Sequence, residues 1–198
     1  MITDAGQFVG KVASVTLRRR AGELHEGESR MTSRKLTAGD AAPEFSLRAI
    51  GSGRQVGPAS AGGAALLLVF HDQNSVEQVQ TMQEAVRARC PAASALLVAS
   101  VVNMSVVPTF LRGMAESVMQ AQYSKAAAAM PTGLDAADYI VILTDWDGNV
   151  SRAYGAKGVD RTPLAVLLDN RGQVQGVHQG KDLAQAVPAL IGAVCPDA

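Results

Sequence analysis

The segment Leu66-Leu67-Leu68-Val69-Phe70 is an uninterrupted apolar run with the length of a β-strand. A short run without polar alternation is typical of a strand that is buried on both faces of a sheet. Such a strand requires apolar cover above and below it. The chain has 198 residues, of which 47% are apolar, so it is long enough and apolar enough to supply that cover within one domain.

Strands and helices alternate on both sides of this run. Apolar spacing and turn residues predict strands near 45–47, 96–102, 139–143 and 164–168, a hairpin strand at 173–177, and helices over about 74–89, 107–129, 150–154 and 181–194. Buried strands linked by helices, with an antiparallel hairpin at one edge, predict a mixed α/β sandwich.

The two longest helices have predicted inward faces. In helix 74–89, which Asn74 or Ser75 would cap, the spacing of three and four residues places four apolar side chains on one face: Val76, Val79, Met82 and Val86. In helix 107–129, which Pro108 opens, the predicted inward residues are Phe110, Leu111, Met114, Val118 and Tyr123.

Residues 1–38 differ in composition from the rest of the chain. They are rich in Gly, Ser, Glu and Arg without a sustained period, which predicts a disordered N-terminal extension, and Met31 offers an alternative start. The organised domain is expected over 39–195.

Charge argues against two classes of partner. Eighteen basic and eighteen acidic residues give a formal net charge of zero, so neither nucleic acid nor an anionic membrane is expected as a partner. No apolar segment has the length of a membrane-spanning helix, and the N-terminus lacks the pattern of a signal peptide. We therefore expect a cytoplasmic protein.

Two motifs in this order carry a resemblance. The segment 39–47, Gly-Asp-Ala-Ala-Pro-Glu-Phe-Ser-Leu, and the block 155–172, which contains Thr162-Pro163 before a strand and Asp169-Asn170-Arg171-Gly172, resemble the redoxin branch of the thioredoxin-like superfamily. That branch contains the peroxiredoxins and the alkyl hydroperoxide reductases. The resemblance covers about 39–192. It implies a three-layer α/β/α sandwich with a mixed central sheet and a cis bond before Pro163.

The chain differs from these relatives at the position of their catalytic cysteine. They carry a cysteine where the helix after the central strand begins, and the matching residues here are Ser75 and Gln78, beside Thr162 and Pro163. Only a thiolate is a strong nucleophile toward disulfides and peroxides at neutral pH. Peroxidase and disulfide reductase activities are therefore not carried over by the resemblance.

Cys90 and Cys195 are the remaining candidates for thiol chemistry. Cys90 falls at the predicted C-terminal end of a helix, where the dipole disfavours a thiolate, so we expect an inert, half-buried thiol. Cys195, in Val194-Cys195-Pro196, resembles the resolving-cysteine tail of two-cysteine peroxiredoxins. It is expected to be an exposed tail thiol that could link two chains under oxidation.

Other polar clusters give weaker signals. The pair His71-Asp72 could form a general base with its orienting carboxylate, but neighbours on a strand point to opposite faces, which favours two solvated loop residues. The three histidines lack metal-ligand spacing, and Asp145-Trp146-Asp147-Gly148 fits a turn better than a calcium loop. We expect neither a metal nor a cofactor.

Three functional hypotheses follow. In the first, the protein is a non-catalytic binding or regulatory member that holds a peptide or a partner protein in the groove beside Ser75 and Pro163 or on helix 107–129. In the second, it is a thiol-dependent antioxidant, a thiol peroxidase or a thiol-disulfide oxidoreductase, acting through Cys90 or Cys195. In the third, it is a structural module that forms a homodimer on helix 107–129.

Overall fold

A computed structural model describes residues 35–59 and 62–196. The predicted disordered extension over 1–38 therefore lies outside the described residues except for its last four. Among those four, Leu36 packs against the hydrophobic core, and just after them the Gly39 amide donates a hydrogen bond to the Val174 carbonyl. The described structure is thus tied to the core from its first residues onward.

Within the described residues, seven strands form two sheets. They are β1 (Leu47–Arg48), β2 (Gln55–Val56), β3 (Ala65–His71), β4 (Leu96–Asn103), β5 (Val141–Asp145), β6 (Leu164–Leu168) and β7 (Val174–Gln179). The main sheet has the order β5-β4-β3-β6-β7, and β1 pairs with β2 in a separate hairpin. Strands β3, β4 and β5 are parallel, whereas β6 runs antiparallel to β3 and β7 antiparallel to β6. The predicted mixed sheet with a hairpin at one edge is confirmed.

Five α-helices accompany the sheets in the part of the chain that the structure describes. They are α1 (Val76–Arg89), α2 (Arg112–Ala128), α3 (Ala136–Tyr139), α4 (Asn149–Ala153) and α5 (Leu183–Leu190). Short 3-10 turns over Gln73–Ser75 and Thr109–Leu111 precede α1 and α2, and a third over Ile191–Ala193 follows α5. The predicted final helix over 181–194 is therefore a shorter α-helix, with Pro188 inside it, that ends in a 3-10 turn.

Every residue of β3 is buried, as the apolar run predicts. Leu66, Leu68 and Phe70 enter one core with the N-terminal segment and α4. Leu67 and Val69 enter a second core on the opposite face, where α1 and α5 pack together. The three-layer α/β/α sandwich is confirmed.

The inward face of α1 agrees with the prediction. Val79, Met82 and Val86 are fully covered, and Val76 is half-buried. The predicted cap is partly wrong, because the capping side chain of the turn before α1 is that of Asp72. Its carboxylate accepts a hydrogen bond from the Asn74 amide at 2.8 Å.

The predicted inward face of α2 is only partly right: Tyr123 packs against a buried cluster and Leu111 and Val118 are half-buried, but Phe110 and Met114 point outward. Phe110 is 84% exposed and Met114 is 67% exposed, whereas Ala115 and Met119 are buried. The α-helix starts only at Arg112, after a 3-10 turn. Because a 3-10 turn advances three residues rather than 3.6, it rotates the apolar face away from the one that a continuous helix from 107 would bury.

The two methionines of α2 provide a matched test of this face. We predict that Met119→Ala lowers the free energy of unfolding by about 2 kcal/mol, since it removes a buried side chain. Met114→Ala should change it by less than about 0.5 kcal/mol, because that side chain is already in solvent. Urea denaturation of both variants measures this. A larger loss in Met114→Ala would contradict the described orientation of α2.

Candidate functional site

Ser75 lies at the start of α1, where its side chain is already engaged. It is 1% exposed, and its hydroxyl donates a hydrogen bond to the Val159 carbonyl at 2.9 Å. The same oxygen accepts a bond from the Asp72 amide at 3.3 Å. Ser75 therefore joins the start of α1 to the loop before β6, and its hydroxyl is not presented to solvent.

The other predicted site positions lie on or near the same loop. The Thr162 hydroxyl donates to the Gly158 carbonyl at 3.3 Å, and Pro163 is buried at the entry to β6. The Gln78 side-chain oxygen is buried and has no hydrogen-bond partner among the described residues. The structure thus links Ser75 to the segment of Thr162 and Pro163 through Val159.

The predicted cis bond before Pro163 is wrong. No peptide bond among the described residues is cis. The trans form is the lower-energy one for most X-Pro bonds. In the trans form both carbonyls at this bond are hydrogen-bonded. The Thr162 carbonyl accepts from the Gln179 side-chain amide at 3.1 Å, and the Pro163 carbonyl accepts from the Gly180 amide.

Cys90 and Cys195 form a disulfide, with Cα atoms 5.7 Å apart. Both are buried, at 2% and 7% exposure. The expectations of a half-buried free thiol and of an exposed tail thiol are therefore wrong. The two cysteines are 105 positions apart in the sequence, so their pairing was not evident, and the only signal was that the chain holds exactly one pair of cysteines.

The disulfide lies far from the predicted site. Ser75 precedes α1 and Cys90 follows it, so the two positions are separated by the whole helix, about 22 Å at 1.5 Å per residue. That separation is well beyond the reach of a disulfide. A sulfur of this pair cannot act beside Ser75 in the described structure.

A cavity of about 760 Å³ lies between α1 and α2, above the sheet. Its floor includes Val98, Ser100 and Val102, alternate residues of β4, and its walls carry one face of each helix. The wall residues are Val76, Val79, Gln80, Gln83, Glu84 and Arg87 from α1, and Met119, Gln122 and Ala126 from α2. Residues 130–142 close one side. Its volume lies in the range typical of small-molecule sites.

His71 lines one part of this cavity and is 6% exposed, so the predicted solvated position is wrong. It is the last residue of β3 and shares the face of Leu67 and Val69. Its Nδ1 lies 3.1 Å from the Asp72 carbonyl oxygen, which can only accept, so Nδ1 carries the proton. Burial lowers the pKa of the ring below 6.5. In the neutral ring Nε2 is then a hydrogen-bond acceptor, and it has no partner among the described residues.

Arg87 also lines the cavity. Its Nη1 donates to the Leu96 carbonyl at 3.0 Å, and the guanidinium lies over the Tyr139 ring, 5.0 Å from the centroid. Its Nη2 is buried and has no hydrogen-bond partner among the described residues. Sequence analysis missed Arg87, because a cation in the last turn of a helix is ordinarily solvated.

Solved structures share this fold. A protein assigned as thiol:disulfide interchange protein DsbE from Chlorobium tepidum is 24% identical, with a TM-score of 0.54 over 81% of this chain and 99% of that one. A protein assigned as a protein disulfide isomerase from Bacteroides thetaiotaomicron is 13% identical, with a TM-score of 0.54 over 83% and 96%. StoA from Bacillus subtilis is 15% identical, with a TM-score of 0.51 over 75% and 96%.

At these identities the likeness establishes a thioredoxin-like fold and nothing finer. Neither a protein-family model nor a curated protein sequence matches the chain. Within residues 35–59 and 62–196, no helix is long and apolar enough to cross a membrane. The same residues hold no cluster of three or more His, Cys, Asp or Glu side chains arranged for a metal ion.

The disulfide is expected to stabilise the fold. We predict that replacing both Cys90 and Cys195 by alanine lowers the free energy of unfolding by about 4–5 kcal/mol, because the bridge closes a long loop in the unfolded chain. Urea denaturation measures the change. A reducing agent should destabilise the wild type and leave the double variant unaffected. Equal stabilities of the wild type and the double variant in the absence of reducing agent would contradict the prediction.

His71 should make stability depend on pH. Its pKa is lower in the folded than in the unfolded state, so from about pH 6.5 down to the lower folded-state pKa the unfolded chain binds a proton that the folded chain does not. The stability is present above that window and decreases as the pH falls through it, by up to about 1.4 kcal/mol per pH unit.

Thermal or urea unfolding across this window should show a weaker pH dependence in His71→Phe than in the wild type. A wild-type slope in His71→Phe would show that His71 is not buried in its neutral form.

Proposed function

We propose that this protein is a thioredoxin-fold binding protein that performs no thiol catalysis. The observation that carries the proposal is the state of Ser75 at the start of α1. By resemblance to redoxins, that position holds the reactive cysteine. Here it holds a hydroxyl that is buried and bonded to Val159. A serine hydroxyl needs an adjacent general base to act as a nucleophile.

The nearest groups do not provide such a base. The Asp72 carboxylate oxygen lies 3.4 Å from the Ser75 hydroxyl and also accepts the Asn74 amide of the same turn. The buried imidazole of His71 has its protonated Nδ1 on the Asp72 carbonyl rather than on Ser75. The hydrogen bonds among Asp72, Asn74 and Ser75 are those of a helix cap and not those of a catalytic serine.

The placement of the two cysteines supports the same proposal. Both sulfurs are consumed in one buried disulfide at the far end of α1. Reactive cysteines are partly exposed and lie in electropositive surroundings. Arg87 and Arg89 donate hydrogen bonds to the carbonyls of Cys90 and Cys195, but both cysteines are buried among the side chains of α1 and α5, which favours a structural role.

A partner protein remains part of the proposal. The groove beside Ser75 and Pro163 stays a prediction, and since both residues are buried, its contacts would come from their neighbours. The segment 106–114, which leads into α2, contributes more exposed surface, since Val106, Phe110 and Met114 are all largely exposed. Such an apolar surface is suited to a peptide, a partner protein or a second copy of the chain.

The alternative is a thiol-disulfide oxidoreductase that uses Cys90 and Cys195. The observation that favours it is that the two sulfurs form a single two-electron redox pair. Disulfides persist mainly in oxidising compartments, which speaks against the predicted cytoplasmic location, and the location stays an untested prediction.

Enzyme assays separate the two proposals. Purified wild type, given a thioredoxin-type reductant, should consume no peroxide and reduce no insulin disulfide above the rate of the Cys90→Ala/Cys195→Ala double variant. An authentic thioredoxin provides the positive control. Turnover that the double variant abolishes would instead establish the oxidoreductase.

A further inference from the structure

We propose that the cavity between α1 and α2 binds a long-chain carboxylate that carries a hydroxyl group at its far end. This inference rests on the proposed binding function and names a ligand class for it. Three features of the cavity argue for such a ligand: its apolar walls, the free donor at one end and the free acceptor at the other.

The walls favour an elongated apolar body. Valines from β4 and α1 and Met119 from α2 face the cavity, together with the polar side chains of Gln80, Gln83 and Glu84 on α1 and of Gln122 on α2. Ser100 on the floor is already engaged, since its hydroxyl oxygen accepts from the Gln83 amide group at 3.4 Å. An apolar chain is therefore the chemistry that the middle of the cavity accommodates.

Arg87 marks the end that takes the carboxylate. Its Nη2 is a buried donor without a partner, on a side chain whose Nη1 already donates to the backbone. The nearby carboxylate of Asp138 is bonded to Arg54 at 2.7 Å, so it does not satisfy this donor. A ligand carboxylate would, through a charge-assisted hydrogen bond.

His71 marks the end that takes the hydroxyl. Since its Nδ1 donates to the Asp72 carbonyl, Nε2 is a buried acceptor that lacks a donor, on a residue that lines the cavity. An unsatisfied buried acceptor is costly, and a ligand hydroxyl that donates to it removes that cost. A second carboxylate at this end would instead oppose the lone pair.

The positions of Arg87 and His71 along strand β4 give the distance between the two ends of the cavity. Arg87 bonds to the carbonyl of Leu96, at the start of β4, and His71 is paired in register with Val102, six residues further on. At about 3.3 Å per residue, the two ends are about 20 Å apart along the strand. The free donor and the free acceptor therefore suit the two termini of one extended chain.

The test uses 16-hydroxyhexadecanoate and hexadecanoate as probes, titrated calorimetrically into the full chain below the concentrations at which they form micelles. We expect one molecule of the hydroxy acid to bind per chain, about tenfold more tightly than hexadecanoate. Arg87→Met should weaken both probes by about tenfold or more. Lys181→Gln removes an exposed cation outside the cavity and should change neither.

His71→Phe provides the discriminating variant. It should reduce the affinity for the hydroxy acid to that for hexadecanoate and leave the latter unchanged, which a misfolded variant would not do. Ala126→Phe, on the half-buried face of α2, should fill the cavity and abolish binding of both probes without lowering the melting temperature.

Three results would overturn the ligand: no binding heat with either probe, undiminished binding in Ala126→Phe, or an equal loss of both probes in His71→Phe. The readout does not involve thiol chemistry. If the protein binds neither probe and shows no thiol-dependent turnover, the ligand is rejected and the proposed function stands. If it binds the probes but shows thiol-dependent turnover, the ligand stands and the proposed function is rejected.

Discussion

The structure depends on the burial of both faces of β3. This strand lies in the middle of the main sheet, between a parallel and an antiparallel neighbour, and all of its residues are covered. Two separate cores exist because its side chains alternate between the faces. Burying a strand to its last residue also buries His71, and this places an imidazole where an apolar residue would be expected. The polar chemistry of the cavity is thus a direct consequence of how far β3 extends.

Helix α1 is fixed at both ends by interactions of different kinds. At its start, Ser75 bonds to Val159 and so holds the loop before β6. At its end, Cys90 is bonded covalently to Cys195 in the C-terminal segment. Between these ends, one face packs against α5 and an adjacent face lines the cavity. A helix held in this way provides a rigid wall, so the cavity can persist without a neighbouring helix packed into it.

The sequence predicted those parts of the fold that depend on local pattern. The apolar run of β3, the inward face of α1 and the hairpin of β6 and β7 follow from periodicity and turn residues, and the structure has them. The face of α2 was predicted only in part, because a 3-10 turn shifts the rotation of a helix without changing its composition. The disulfide, the trans bond before Pro163 and the burial of His71 depend on contacts between residues far apart in the chain, which one sequence does not display.

The same limit applies to the candidate site. Ser75 could be singled out by its place after the central strand, but that its hydroxyl bonds to Val159 is a tertiary fact. Arg87 could not be singled out at all, since only the packing of α1 against β4 and Tyr139 makes its second guanidinium nitrogen a buried donor.

On the proposed function, Cys90 and Cys195 hold the fold together and do not exchange with other thiols. The most direct measurement is the number of free thiols, counted by alkylation and mass spectrometry, after native protein is incubated with a stoichiometric amount of reduced thioredoxin. Because both sulfurs are buried, the account predicts that the disulfide stays intact until the protein is unfolded. Rapid appearance of two alkylated cysteines in the folded protein would contradict it.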